Sequence, residues 1–134
     1  MHQSSQIRFL GFVYGEDYEQ LLGSALMYVS ASCLEGTSPS LLAAMGARVC
    51  PLVNGIEENR AAAGGAALMF EKNDYDDLLQ KWQQVLSEPA AIEEWADKAY
   101  RHVVDHYRWD RIADQYLSIF RQVSEKTEAI SEVQ

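Results

Sequence analysis

Apolar residues fall in short runs along this chain, and their spacing alternates between strand-like and helix-like. Ile7 to Val13 is an apolar run with Gly11 near its end, which predicts a strand. Glu16 to Ser24 then sets Tyr18, Leu21 and Leu22 at i, i+3 and i+4, one face of a helix. Leu26 to Ala31 is a second strand-like run, and Pro39 to Ala47 reads as a helix with Pro in its first position, where the missing N–H costs nothing. Val49 to Val53 is a third strand, ended by Asn54-Gly55. Glu57 to Ala63 is a short helix stopped by Gly64-Gly65, and Ala67 to Phe70 is a fourth strand. Asn73 or Asp74 can cap the next helix, which carries Leu78, Leu79, Trp82, Val85 and Leu86 and is closed by Pro89. Ala90 to Tyr107 and Asp110 to about Lys126 complete the helices, and a polar tail from Thr127 is expected to fray.

Strands joined by helices of this length pair in parallel, because a parallel crossover needs about a dozen residues. The pattern predicts an α/β fold with a parallel sheet of about four strands, flanking helices and three closing C-terminal helices. Residues 1–126 form a single unit, with the α/β part over 1–89 and closing helices over 90–126, and residues 127–134 form the tail. No repeat, low-complexity segment or interdomain linker interrupts it.

Composition narrows the partners. The 134 residues are 48% hydrophobic, enough for one core. A net charge of −9 argues against nucleic acid and anionic membrane surfaces, which attract Lys and Arg. Cys33 and Cys50 make neither a disulfide framework nor a zinc site and read as buried free thiols. No apolar run reaches the length of a membrane span, and the polar start at Met1 to Gln6 lacks the core of a signal peptide, so a cytoplasmic location is expected.

Candidate chemistry concentrates in Leu34-Glu35-Gly36-Thr37-Ser38-Pro39-Ser40-Leu41-Leu42-Ala43-Ala44-Met45-Gly46. A strand, a Gly-containing turn and a helix in that order aim backbone N–H groups into the crevice beyond the strand ends, a place suited to an anion such as a diphosphate. Other patterns read as structural. His102 and His106 have metalloprotease spacing with Asp105 between them, but no further ligands follow, so they are expected on a solvated surface without metal. Glu57 and Glu58 diverge at adjacent helical positions and read as first-turn charges. Trp82, Trp95 and Trp109 read as core anchors. Walker loops, Gly-x-Gly-x-x-Gly and nucleophile elbows are absent.

In wording and layout the Leu34–Gly46 stretch resembles the donor-binding motif of retaining GT-B glycosyltransferases of the group 1 (family 4) type. Ile7 to Val13 is similar to the strand entering the second half of that family's C-terminal domain, and Glu16 to Ala25 to the helix after it. Asn54 to Arg60, then Gly64 to Phe70, resemble its next loop, helix and last strand, and Tyr107 to Tyr116 its closing helix. The Gly-Thr-Ser-Pro wording leans toward the bacterial polysaccharide, rhamnosyltransferase-like branch.

The resemblance implies a partial Rossmann-like (GT-B C-terminal) fold and a nucleotide-sugar donor, with no cofactor or metal. In the family, a sugar passes from a nucleotide diphosphate to an acceptor hydroxyl with retention. Glu35 occupies the position whose carboxylate meets donor-sugar hydroxyls. Gly36, Thr37 and Ser38 would offer N–H and hydroxyl donors to sugar and diphosphate, helped by the helix dipole from Pro39, and Leu42 would flank the ribose. Eight positions after Glu35 the family usually has a second Glu that accepts from the ribose hydroxyls; this chain has Ala43. Losing that contact corresponds to about 1.5–3 kcal/mol of donor binding. No catalytic residue is assigned.

The resemblance further implies that an N-terminal acceptor domain and the first two strands of the C-terminal domain lie outside this chain. In the family's strand order, 3-2-1-4-5-6, those two strands separate the Ile7 strand from the next by about 14 Å, three strand spacings. The gap must close, be filled by a partner chain, or leave an unpaired strand through which copies could associate. The chain is therefore expected to need an N-terminal GT-B domain or partner chain for activity. The alternative reading is a non-catalytic remnant or interaction module.

Overall fold

The computed structural model describes residues 6–131, with side chains through residue 124. Nine elements follow in order: α1 (Gly15–Gly23), β1 (Met27–Ser30), α2 (Pro39–Gly46), β2 (Cys50–Asn54), α3 (Glu57–Ala63), β3 (Leu68–Phe70), α4 (Tyr75–Leu86), α5 (Pro89–His106) and α6 (Trp109–Ser131). The strands form one parallel sheet in the order β1-β2-β3. Met27 stands opposite Cys50 and Ser30 opposite Val53, while Leu52 stands opposite Leu68 and Asn54 opposite Phe70. The result is an α/β, partial Rossmann-like architecture followed by a helical C-terminal stretch.

Strand alternation divides the core in two. Tyr28, Val53 and Met69 point to one face and pack with Leu41 and Met45 of α2, Ala62 and Ala63 of α3, and Ala99 and Val103 of α5. Met27, Cys50 and Leu68 point to the other, against Val85 of α4 and Ile92, Trp95 and Ala96 of α5. The 18-residue α5 thus serves both clusters. β2 is buried along its whole length, as expected of a central parallel strand. Leu41 and Met45 are at most 1% exposed, each burial stabilising by about 1.5–3 kcal/mol.

Local chemistry sets the boundaries. Asp74 caps α4, its Oδ1 accepting from the backbone N–H groups of Asp76 and Asp77 at 3.0 Å each. Gly64 ends α3 in the left-handed conformation at φ 53°, and a Cβ there would run into the His102 ring. Glu57 and Glu58 open α3, favourable to its dipole.

Five expectations are corrected. Ile7 to Val13 is not a strand, so the sheet has three strands rather than four. A strand is held by its ladder, and among the described residues this segment pairs with no strand. Phe9 and Phe12 are accordingly 80% and 90% exposed. Of the tryptophans only Trp95 packs in the core; Trp82 is exposed and Trp109 lies in the open on α6. Cys33 is exposed, whereas Cys50 is buried and its thiol is pushed up to about 11 by burial. His102 is half-buried rather than solvated: its Nε2 lies 3.0 Å from the Ala62 carbonyl, which also accepts from the Tyr107 hydroxyl at 3.0 Å. The helix expected to end at Lys126 continues to Ser131. Met1 to Ser5 and the last three residues of the tail lie outside the described residues.

Candidate functional site

The C-terminal ends of all three strands open on the same side of the sheet, as parallel pairing requires. The first connection there runs from Ala31 to Thr37 and leads into α2. Ser38 is the N-cap of α2 in extended conformation, only 3% exposed, with its Oγ 3.5 Å from the Leu41 N–H. Its hydroxyl also lies 3.2 Å from that of Ser40, which in turn is 2.8 Å from the Tyr28 hydroxyl. The Ser38 side chain is therefore engaged in building the turn, a role the residue pattern alone did not separate from ligand binding.

Before the cap, Gly36 and Thr37 are exposed and Glu35 is half-buried. Among the described residues Glu35 makes no hydrogen bond or ion pair, so its carboxylate is available. Pro39 takes the first helical position, and no acidic residue stands in the first turn of α2. The positive end of this helix thus has no acidic residue in its first turn, a feature shared by α5, whereas α1, α3, α4 and α6 carry Asp or Glu there.

One flank of α2 borders a groove of about 410 Å³. Pro39, Ser40 and Ala43 form its α2 wall, and Val13, Tyr14, Gly15 and Tyr18 the wall facing it. The structure thus brings Pro39 and Ala43 to one cavity with two tyrosines. Leu42 is half-buried and packs against the core cluster instead. A second groove of about 430 Å³ shares Val13 and Tyr18 with the first and is lined by Arg8.

The basic residues divide by position. Arg48, the nearest to the turn in sequence, precedes β2 and so lies at the opposite end of the sheet, where its Nε pairs with Asp97 at 2.6 Å and its guanidinium covers the Tyr100 ring. Arg60 stays at the C-terminal side, its Nε donating to the Gly55 carbonyl at 3.2 Å. Arg8 is far from the turn in sequence, and only the folded path of residues 8–18 places it beside the groove.

A buried polar hub underlies this edge. Asn54, the last residue of β2, is fully buried. Its Nδ2 donates to the Ser32 carbonyl at 3.1 Å and to Asn73 Oδ1 at 2.8 Å, and its Oδ1 accepts from the Asn73 N–H at 3.0 Å. Its own carbonyl accepts from the Asn59 amide at 3.0 Å and the Ile56 N–H at 2.8 Å. Gly55 beside it has no room for a side chain, since a Cβ would come within 2.6 Å of the Phe70 carbonyl oxygen. In the sequence Asn54-Gly55 signals only the end of a strand; a polar residue closing a wholly apolar run was the one sign of the hub.

Among the described residues no three His, Cys, Asp or Glu side chains converge as a metal site would require, and no helix is long and apolar enough to cross a membrane. The profile of the family described as glycosyl transferase-like matches residues 2–118. No curated protein and no solved structure matches the chain.

Proposed function

This chain belongs to the glycosyl transferase-like family, and from that premise we propose that it is the donor-binding part of a retaining, group 1 GT-B glycosyltransferase of the polysaccharide-building, rhamnosyltransferase-like kind. The observation that carries the reading is the unneutralised N-terminus of α2 beside the Ala43 groove. A nucleotide-diphosphate sugar supplies what this arrangement lacks: negative charge for the helix end and a flat, partly apolar nucleoside for a groove walled by Tyr14 and Tyr18.

In this reading the N–H groups of Gly36 and Thr37 receive the diphosphate, the Glu35 carboxylate accepts from sugar hydroxyls, and Ala43 and Pro39 line the ribose side. Ser38 holds the turn in shape, and Leu42 supports α2 from the core. Arg8 lines the second groove, which shares Val13 and Tyr18 with this one. In transfer, the bond from the anomeric carbon to the diphosphate breaks with its electrons going to the diphosphate. The acceptor oxygen bonds to the same face and gives up its proton to the departing phosphate. Charge stabilisation of the leaving group and positioning of the acceptor supply most of such a rate.

The acceptor side of the cleft comes from an N-terminal GT-B domain or a partner chain. Apolar side chains at Ile7, Phe9 and Phe12, and at Trp109, Tyr116 and Phe120 of α6, are surface that such a neighbour would cover. A cytoplasmic location, where donor and acceptor half meet, belongs to the same proposal. The same exposed surface favours the second reading, an interaction module without catalysis. Titration calorimetry with UDP, GDP and dTDP sugars separates the two. The donor reading predicts binding of at least one, with Kd about millimolar, and no transfer by the chain alone. Failure of all three to bind would leave the interaction module, and multiple-turnover transfer by the chain alone would contradict the need for a second half.

A further inference from the structure

We infer that Asn54 is the positioning residue of the Glu35–Ser38 turn, acting through the Ser32 carbonyl. Three connections leave the C-terminal edge of the sheet, and Asn54 touches each. Its side chain donates to Ser32 in the connection after β1 and exchanges two hydrogen bonds with Asn73 in the connection after β3, while its carbonyl is held by Ile56 and Asn59 after β2. Between Ser32 and the Ser38 cap, the turn has few other restraints. The Ser32 N–H donates to the Ser30 Oγ at 3.4 Å, the Ser32 hydroxyl donates to the Leu34 carbonyl at 3.1 Å, and Cys33 Sγ lies 3.6 Å from the Ala31 carbonyl and 3.9 Å from the Tyr75 hydroxyl. The first three are local, the Ser30 contact is long, and sulfur contacts of this length restrain weakly. The amide of Asn54 is the tie from the turn to the central strand β2.

The chemistry favours an amide at this position. A buried Asn offers two N–H donors and a carbonyl acceptor, and all three hydrogen-bonding directions are used here. Leucine or valine would leave the Ser32 carbonyl and the Asn73 N–H without partners, and a carboxylate would lose both donations. Asn73 adopts φ 62°, a left-handed conformation that Asn tolerates, and this turns its N–H and side-chain carbonyl toward Asn54 together. The functional consequence rests on the donor reading of Glu35 to Ser38; the geometric claim does not.

The test has two arms. In the first, 15N relaxation compares the full chain with Asn54→Ser, which is small and uncharged. Backbone order over Ser32 to Thr37 should fall from rigid values near 0.85 to below about 0.6 while β2, β3 and α5 keep theirs. If Asn54→Ser does not fold, Asn54→Asp keeps the acceptor for the Asn73 N–H and removes the donations to Ser32 and to Asn73 Oδ1. Unchanged order over Ser32 to Thr37 in either folded variant overturns the inference. In the second arm, a double-mutant cycle with Glu35→Ala measures affinity for whichever of the UDP, GDP or dTDP sugars binds the unmodified chain. If Asn54 acts by placing the turn that carries Glu35, each single substitution weakens binding about tenfold and the pair together weakens it by clearly less than the product, because the double variant has no Glu35 carboxylate left to misplace. A hundredfold loss, the product of independent effects, is the result for a merely structural Asn54 and overturns its positioning role. If no nucleotide sugar binds the unmodified chain, the donor reading falls, and the relaxation arm still decides whether Asn54 holds the turn.

Discussion

Replacing Ala43 by Glu should strengthen nucleotide binding, and the size of the gain follows from the groove. Ala43 is half-buried and lines a cavity of about 410 Å³ with Tyr14 and Tyr18, so a longer side chain has space without displacing the core. A carboxylate accepting from two ribose hydroxyls contributes about 1.5–3 kcal/mol. Fixing one Glu side chain costs about 0.5–1.5 kcal/mol. The net gain is about 1.4 kcal/mol, or tenfold in Kd. The added charge repels the diphosphate only weakly at physiological salt, where the screening length is about 8 Å. Calorimetry with the nucleoside diphosphate that binds the unmodified chain reads the gain directly. The matching 2′,3′-dideoxynucleotide should gain nothing, because it lacks the hydroxyls. Unchanged affinity in a well-folded Ala43→Glu chain, or an equal gain for the dideoxy compound, would refute a ribose at this position.

Three further outcomes follow from the same geometry. Glu35→Ala should weaken a nucleotide sugar about tenfold or more while leaving the plain nucleoside diphosphate far less affected, since a charged acceptor is lost only to the sugar; parallel titrations yielding equal losses would remove the assigned role. Asp77 accepts from the Lys81 ammonium at 2.7 Å and from the Glu71 N–H at 2.6 Å, which holds its carboxyl below the usual range. Its stabilisation is therefore full above the unfolded carboxylate value of about 3.9 and fades as pH falls through the lower folded value. Urea midpoints between pH 6 and pH 2 should fall less steeply in Asp77→Asn, and an identical acid limb would contradict the pairing. A thiol reagent should label Cys33 in the folded chain and Cys50 only on unfolding, because Cys50 is buried and its thiol is pushed up to about 11; mass spectrometry showing both labelled at equal rates would count against the burial.

Much of the fold was legible because its elements carry their own punctuation. Glu57–Ala63 is bounded by Gly64-Gly65, Pro39 marks the start of α2, and Asp74 marks that of α4. The strand expected at Ile7 failed for a different reason. Apolar patterning shows that a segment can pair, whereas pairing itself depends on a partner strand, and among the described residues this segment pairs with none. Trp109 misled similarly, since helical spacing identifies an apolar face but not what covers it. At the candidate site, the turn and the helix start were readable from local sequence. Arg8 and Asn54 were not, because the folded path places them: Arg8 lines the second groove through the path of residues 8–18, and Asn54 touches Ser32 and Asn73 across the sheet edge. Arg48 shows the converse, a residue close to the turn in sequence that the fold carries to the opposite end of the sheet.

The central claim is that a nucleotide-sugar donor binds where α2 begins, and amide chemical-shift mapping tests it most directly. The 15N-labelled chain is titrated with UDP, GDP and dTDP sugars to about 10 mM, well past a millimolar Kd. The account predicts that at least one of them shifts Glu35 to Thr37, Ser40 and Ala43 together with Val13 to Tyr18 across the groove, leaving α4 unmoved. No shifts with any of the three, or shifts confined to α4 and α5, would contradict it.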